Sequence, residues 1–113
     1  MRKLLPVVLL AALAGTLLVA VPALSKRRSV EVDDNYFVRK GSPPTVSVKR
    51  GDTVVWEWEG RNQHNVRATS GPARFRSPIK RSGTYRKKLT RRGTYRIVCD
   101  LHPPNMRMTL RVR

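Results

Sequence analysis

The chain has 113 residues, room for one domain, and carries 24 Lys and Arg against 7 Asp and Glu, a net charge of +17. Such a field attracts anionic partners and speeds their encounter, but there is no basic recognition helix, zinc-knuckle spacing or aromatic stacking series, so a specific nucleic-acid module is excluded. Cys99 is the single cysteine, which rules out a disulfide framework, and no carboxylate pair or nucleophile–base arrangement stands out, which argues against an enzyme.

In chain order, Arg2 and Lys3 precede an apolar stretch from Leu4 to Val21, and small residues follow at Val21-Pro22-Ala23 and Ala23-Leu24-Ser25. A charged start, an apolar middle and a small-residue exit are the parts of an export signal. Residues 1–25 are therefore expected to be a signal peptide, with an uncleaved N-terminal anchor helix as the alternative, because the apolar run approaches the length of a membrane span. Residues 26–113 are the exported domain, placed in the periplasm, outside the cell or at a membrane surface. Lys26 to Ser29 form a short basic linker.

The rest of the chain has no sustained helical period. Val30 and Val32 alternate with Glu31 and Asp33, and Val46 and Val48 with Ser47 and Lys49. Val54, Trp56 and Trp58 share one face, opposite Thr53, Val55 and Glu57. Val66 and Ala68 alternate with Arg67 and Thr69, Tyr95, Ile97 and Cys99 with Arg96 and Val98, and Met108, Leu110 and Val112 with Arg107, Thr109, Arg111 and Arg113. A period of two suits antiparallel strands buried on one side. Turn signals separate the runs at Gly41-Ser42-Pro43-Pro44, Arg50-Gly51-Asp52, Gly60, Ser70-Gly71-Pro72, Ser77-Pro78, Ser82-Gly83 and Arg92-Gly93. Short strands and turns at this spacing predict an all-β sandwich or barrel. A further strand over 84–89 carries a conflict, since Lys87 shares a face with Tyr85 and Leu89.

Once Met1 leaves with the signal, the soft and borderline metal ligands are His64, Cys99, His102, Met106 and Met108, and the last four lie within ten residues. Cys99 ends the inward series Tyr95, Ile97, Cys99. His102 returns to the same point from a tight loop stiffened by Pro103 and Pro104, whose rings fix φ. His64 lies on the same side as Val66 and Ala68 of another strand. Two imidazoles and one thiolate, with a distant thioether, select copper and suit electron transfer. A lone Cys in a strand is ordinarily a small buried hydrophobe, and a lone His before a strand a solvated turn residue. It is the conjunction that favours a metal. Trp56, Trp58, Tyr85 and Tyr95 read as core or corner residues.

Cys99-Asp100-Leu101-His102-Pro103-Pro104-Asn105-Met106 resembles the C-terminal ligand loop of the plastocyanin/azurin (cupredoxin) family. His64-Asn65-Val66 resembles the family's upstream histidine with its following Asn, and Gly51-Asp52-Thr53-Val54 and Gly93-Thr94-Tyr95 match positions typical of it. The likeness spans about residues 29–113. It implies an antiparallel Greek-key β-sandwich with one type 1 copper ion. In that fold His64, Cys99 and His102 would be strong ligands and Met106 the axial one. Asn65 would tie its loop to the cysteine loop, and His102 would be the electron port. Three residues separate His102 from Met106, where family members commonly have two or four, so Met108 stays a rival axial ligand.

The expected function is that of an exported, monomeric one-electron carrier with an acidic redox partner. Two alternatives remain open at this level: copper storage or delivery without electron transfer, and a cationic β-domain held to an anionic membrane or cell-wall surface, whose binding would be salt-dependent and indifferent to copper.

Overall fold

The seven runs, joined by one short strand at 36–37 that the alternation did not show, become eight strands in a computed structural model, which describes residues 25–38 and 43–113. The expected signal or anchor helix and the Gly41-Ser42 turn lie outside the described residues. The strands are β1 (Arg27–Asp33), β2 (Tyr36–Phe37), β3 (Thr45–Val48), β4 (Thr53–Trp58), β5 (Arg67–Ser70), β6 (Thr84–Lys88), β7 (Gly93–Val98) and β8 (Arg107–Val112). They form two four-stranded sheets, in the orders β2-β1-β4-β6 and β3-β8-β7-β5.

Neither sheet is wholly antiparallel. β1 runs parallel to β4, with Val30 beside Trp56 and Val32 beside Trp58, and β3 runs parallel to β8, with Val46 beside Leu110. Alternation specifies which face is buried, not which way a neighbour runs, so the sequence could not distinguish these pairings. A parallel neighbour needs a long crossover. Here the chain supplies it by placing β3 in the second sheet between two strands of the first.

The core is the space between the sheets. Val30, Val32, Val54 and Trp56 face inward from one side, and Ala68, Tyr95, Ile97 and Leu110 from the other, all essentially sealed from solvent. The aromatic side chains weld the layers. Trp56 lies 5.8 Å from Tyr85 and 6.0 Å from Phe75, and Phe75 lies 6.0 Å from Tyr95 across the sandwich. Phe75 comes from the β5–β6 connection, which had no strand signal. Tyr95 Oη donates to the carbonyl of Arg91 at 2.8 Å, the corner role read from the sequence.

The conflict in β6 is settled by side-chain length. Lys87 faces the core side, half-buried, and carries its ammonium over the Phe75 ring at 5.7 Å from the centroid. The aliphatic stem covers apolar surface while the charge sits on the π face.

One end of the sandwich is tied by Asp52, which is buried and accepts the backbone N–H groups of Lys26 (2.8 Å) and Lys49 (2.9 Å). Those two donors hold its carboxyl below the usual carboxylate range. The start of β1 is thus stapled to the start of β4. β4 then runs its full length to Trp58, and the segment after it leads to His64 at the other end, where β7 ends and β8 begins.

Candidate metal centre

Antiparallel pairing of β7 with β8 sets the first part of the site. Val98 lies opposite Arg107, and one step further the Cys99 N–H donates to the Met106 carbonyl at 3.0 Å. Cys99 and Met106 are therefore cross-strand neighbours, a relation that brings Cβ atoms to about 5 Å. The loop between them closes on itself. His102 N–H reaches the Cys99 carbonyl at 3.4 Å, and Met106 N–H reaches the His102 carbonyl at 3.1 Å. Met106 is fully buried. Met108, also buried, lies opposite Ile97, two residues deeper along the ladder.

His64 arrives from outside the regular strands. It exchanges both backbone hydrogen bonds with Lys80 at 3.0 Å, an isolated bridge, and its side chain is fully buried. One ligand atom each from His64, Cys99 and His102 lies within 4.8 Å of the others. The Cys99 sulfur is 3.9 Å from His64 Nδ1, and the two imidazole centroids are 4.9 Å apart. Imidazole and thiolate bind first-row ions with bonds of about 2.0–2.3 Å, so one ion can bridge such a spacing. One ring nitrogen of the set has no other partner: among the described residues His102 Nε2 is buried without a hydrogen bond, and Cys99 is a buried free thiol. An unpartnered buried nitrogen is costly in an apo site and becomes useful if a cation meets it. The donor set fits copper.

Around these three runs a polar frame. Asn65 N–H points at the Cys99 sulfur at 3.5 Å. The Asn65 amide bonds Asp100 in both senses, Nδ2 to Oδ2 and Asp100 N–H to Oδ1, each at 2.8 Å. Arg67 Nε closes the far side of Asp100 at 2.7 Å. The Asn65 amide, then Arg67, holds the Asp100 carboxyl below its usual range. Asn65 thus bridges the His64 and Cys99 segments.

Sequence reasoning missed Asp34. Its Oδ1 lies 3.0 Å from His64 Nε2 and accepts the backbone N–H groups of Arg61 (3.0 Å) and Asn62 (2.9 Å). The His64 hydrogen bond, followed by these two N–H donors, lowers the carboxyl to about 2. Asp34 is thirty residues from His64 in the chain, and no local spacing connects them. The one usable hint was Gly60. A Cβ there would run into the Asp34 carboxylate, so only glycine lets the two segments approach this closely.

Comparison with known proteins agrees with this geometry. Residues 27–113 match the family model described as copper binding proteins, plastocyanin/azurin family. Amicyanin from Paracoccus denitrificans is 34% identical over 92 residues, covering 74% of this chain and 70% of that protein. Among solved structures, an oxidised amicyanin variant superimposes with a TM-score of 0.64 at 28% identity, covering 76% of this chain and 81% of its own. A copper-containing nitrite reductase from Thermus scotoductus SA-01 gives 0.65 at 26% identity, covering 84% of this chain but only 25% of the enzyme. The chain belongs to the plastocyanin/azurin family of copper-binding proteins.

Proposed function

We propose that this protein is an exported carrier of single electrons, with copper held by His64, Cys99 and His102 and by Met106 on the axis. The observation that carries the reading is the convergence of two imidazoles and one buried thiol within 4.8 Å at a single sheet end. Bound copper supplies a one-electron Cu(II)/Cu(I) couple there. The protein's part is to hold the donors still. Cys99 is fixed by the β7–β8 ladder, His64 by its bridge to Lys80, and His102 by a loop closed through its own backbone bonds. Neighbourhood with Cys99 favours Met106 over Met108 as the axial residue, since Met108 sits one pleat deeper beside Ile97. Residues 1–25 act as the export signal, and residues 26–113 form the copper domain, joined to whatever precedes it at the end away from the metal centre.

His102 is half-buried beside exposed Leu101, Pro103 and Pro104, and this apolar rim is the electron port. Copper added to the purified protein should give an intense thiolate-to-copper visible band and narrow copper hyperfine splitting in the EPR spectrum. A colourless copper adduct with ordinary wide splitting would sink the reading.

Charge supports an acidic partner and the flank it uses. The outer face of the first sheet is balanced, with Glu31, Asp33 and Glu57 against Arg27, Arg86 and Lys88. The strands of the second sheet present Arg67, Arg96, Arg107 and Arg111 outward among threonines and contain no carboxylate. Of these, among the described residues, only Arg67 is in an ion pair, with Asp100. Arg107 follows Met106 directly, so this cationic face runs up to the port. Changing Arg96, Arg107 and Arg111 to Glu should slow oxidation by hexacyanoferrate(III) about tenfold at low salt, and the difference should shrink as salt rises. The same reversal at Arg86 and Lys88 should matter less. Equal effects from both faces would rule out a preferred flank.

A further inference from the structure

We propose that Asp34 is the positioning residue for His64: it fixes the imidazole's tautomer and orientation and lowers the reduction potential of the copper bound there. This rests on the copper reading above and adds a residue from a part of the chain that carries no ligand.

The geometry requires a particular proton location. Asp34 Oδ1 faces His64 Nε2 at 3.0 Å, and an ionised carboxylate can only accept. Nε2 must then carry the ring proton and donate it to Asp34. Nδ1 is left with a bare lone pair, and Nδ1 is the nitrogen that looks at the Cys99 sulfur, 3.9 Å away. Asp34 thus prepares the one nitrogen that a metal beside Cys99 would use. With Asp34 in place His64 is fully buried, so the carboxylate and not water is the partner of Nε2.

Asp34 is itself firmly held. The preceding residue caps its N–H through Asp33 Oδ1 at 2.8 Å, and Tyr36 Oη donates to Asp33 Oδ2 at 3.2 Å. Asn35 takes the left-handed conformation that turns the chain, with φ of 72°. On the other side, Glu59 N–H donates to the Val32 carbonyl at 2.9 Å, which docks the segment leading to His64 against the end of β1. The carboxylate is therefore a rigid post between the β1–β2 turn and the 60–64 segment.

Two physical effects follow. A carboxylate on the far side of a ligating imidazole makes the ring a stronger donor, and partners of this kind typically affect metal affinity 10–100-fold. Its negative charge also favours the more highly charged oxidation state. Both stabilise Cu(II) over Cu(I), which lowers the potential.

A plain structural role, clamping the backbone of Arg61 and Asn62, is separable by substitution. Asp34→Asn retains an oxygen at Oδ1 for both amides and for His64, and loses the charge together with the second Arg61 N–H contact at Oδ2 (3.1 Å). Asp34→Ala removes everything. The copper-free protein is read by long-range ¹⁵N NMR of the imidazoles, which reports the tautomer without metal. The copper-loaded protein is read by its reduction potential. Asp34→Asn should keep the His64 tautomer and weaken Cu(II) binding about tenfold relative to Cu(I), a rise of about 59 mV for one electron. Asp34→Ala should let His64 populate both tautomers and raise the potential at least as far.

An Asn variant with wild-type potential overturns the tuning, and an Ala variant that still holds a single Nε2–H tautomer overturns the positioning. Failure of the copper reading looks different: the unsubstituted protein would then give no blue species at all, while the metal-free tautomer would still test what Asp34 does to His64.

Discussion

Cys99→Ser should abolish the blue colour while leaving the fold intact. The intense visible band of a type 1 centre arises from a thiolate bound to copper, and a serine hydroxyl is hard, weakly acidic and unable to supply that transition. The side chain at this position is fully buried and receives the Asn65 N–H at 3.5 Å. A serine oxygen is smaller and sits on a shorter bond, so it meets that N–H less well, and the metal-free variant should lose about 1–3 kcal/mol. Copper affinity should fall by orders of magnitude, because the two remaining imidazoles no longer have a soft anionic partner. Visible spectroscopy after copper addition and thermal unfolding of the metal-free form together check the claim. A serine variant that stays intensely blue would remove Cys99 from the site. A variant that fails to fold is controlled by Cys99→Ala, which fits the same apolar cavity and should be equally colourless.

Trp56→Ala should be the most damaging single change to the fold. Trp56 is fully buried between the sheets and packs against Phe75 and Tyr85. Truncating a buried tryptophan costs about 3–5 kcal/mol through lost transfer energy and the cavity left behind. The indole Nε1 has no hydrogen-bond partner, so the loss is packing and leaves no stranded acceptor. Native domains hold only about 5–15 kcal/mol in total, and one this small sits toward the low end. At about 4–8 °C per kcal/mol, Tm should drop by roughly 12–40 °C. Trp56→Phe should recover most of it. Urea unfolding of the copper-free forms measures both; a Trp56→Ala protein within about 1 kcal/mol of the parent would mean that the aromatic cluster does not hold the layers together.

The two changes fall on different parts of what the sequence made legible. Cys99 was visible because two of its candidate partners, His102 and Met106, are local, although His64 is not. The loop from 99 to 106 contains three candidate donors, and a tight turn cannot help bringing them near one another. Trp56 was visible as core because Val54, Trp56 and Trp58 alternate with Thr53, Val55 and Glu57, two of which are polar. Lys87 shows the limit of that rule: by parity it belongs inside, and only the position of the Phe75 ring explains why it is tolerated.

Asp34 was not legible for a more general reason. Its contact with His64 joins a turn at the end of β1 to a segment beyond β4. Gly60 marks a close approach in one stretch, but nothing there says which distant segment approaches. The parallel pairing of β1 with β4 carries both to the same end of the sandwich, and that pairing leaves no trace in an alternation pattern. Phe75 was overlooked for a similar reason, since an aromatic residue in a connection has no periodicity to betray it.

By itself, then, the chain determined most of the residues that face inward, where the turns fall, and which scarce side chains are candidate ligands for an ion. These are local properties, set by the two-residue period of an extended backbone and by ligand types too scarce to be spread about. Strand direction, the order within each sheet, the segregation of uncompensated arginine onto one face, and the carboxylate behind His64 were decided by tertiary structure alone. Each depends on which distant segments become neighbours, and that is settled by burying both sheets' apolar faces at once.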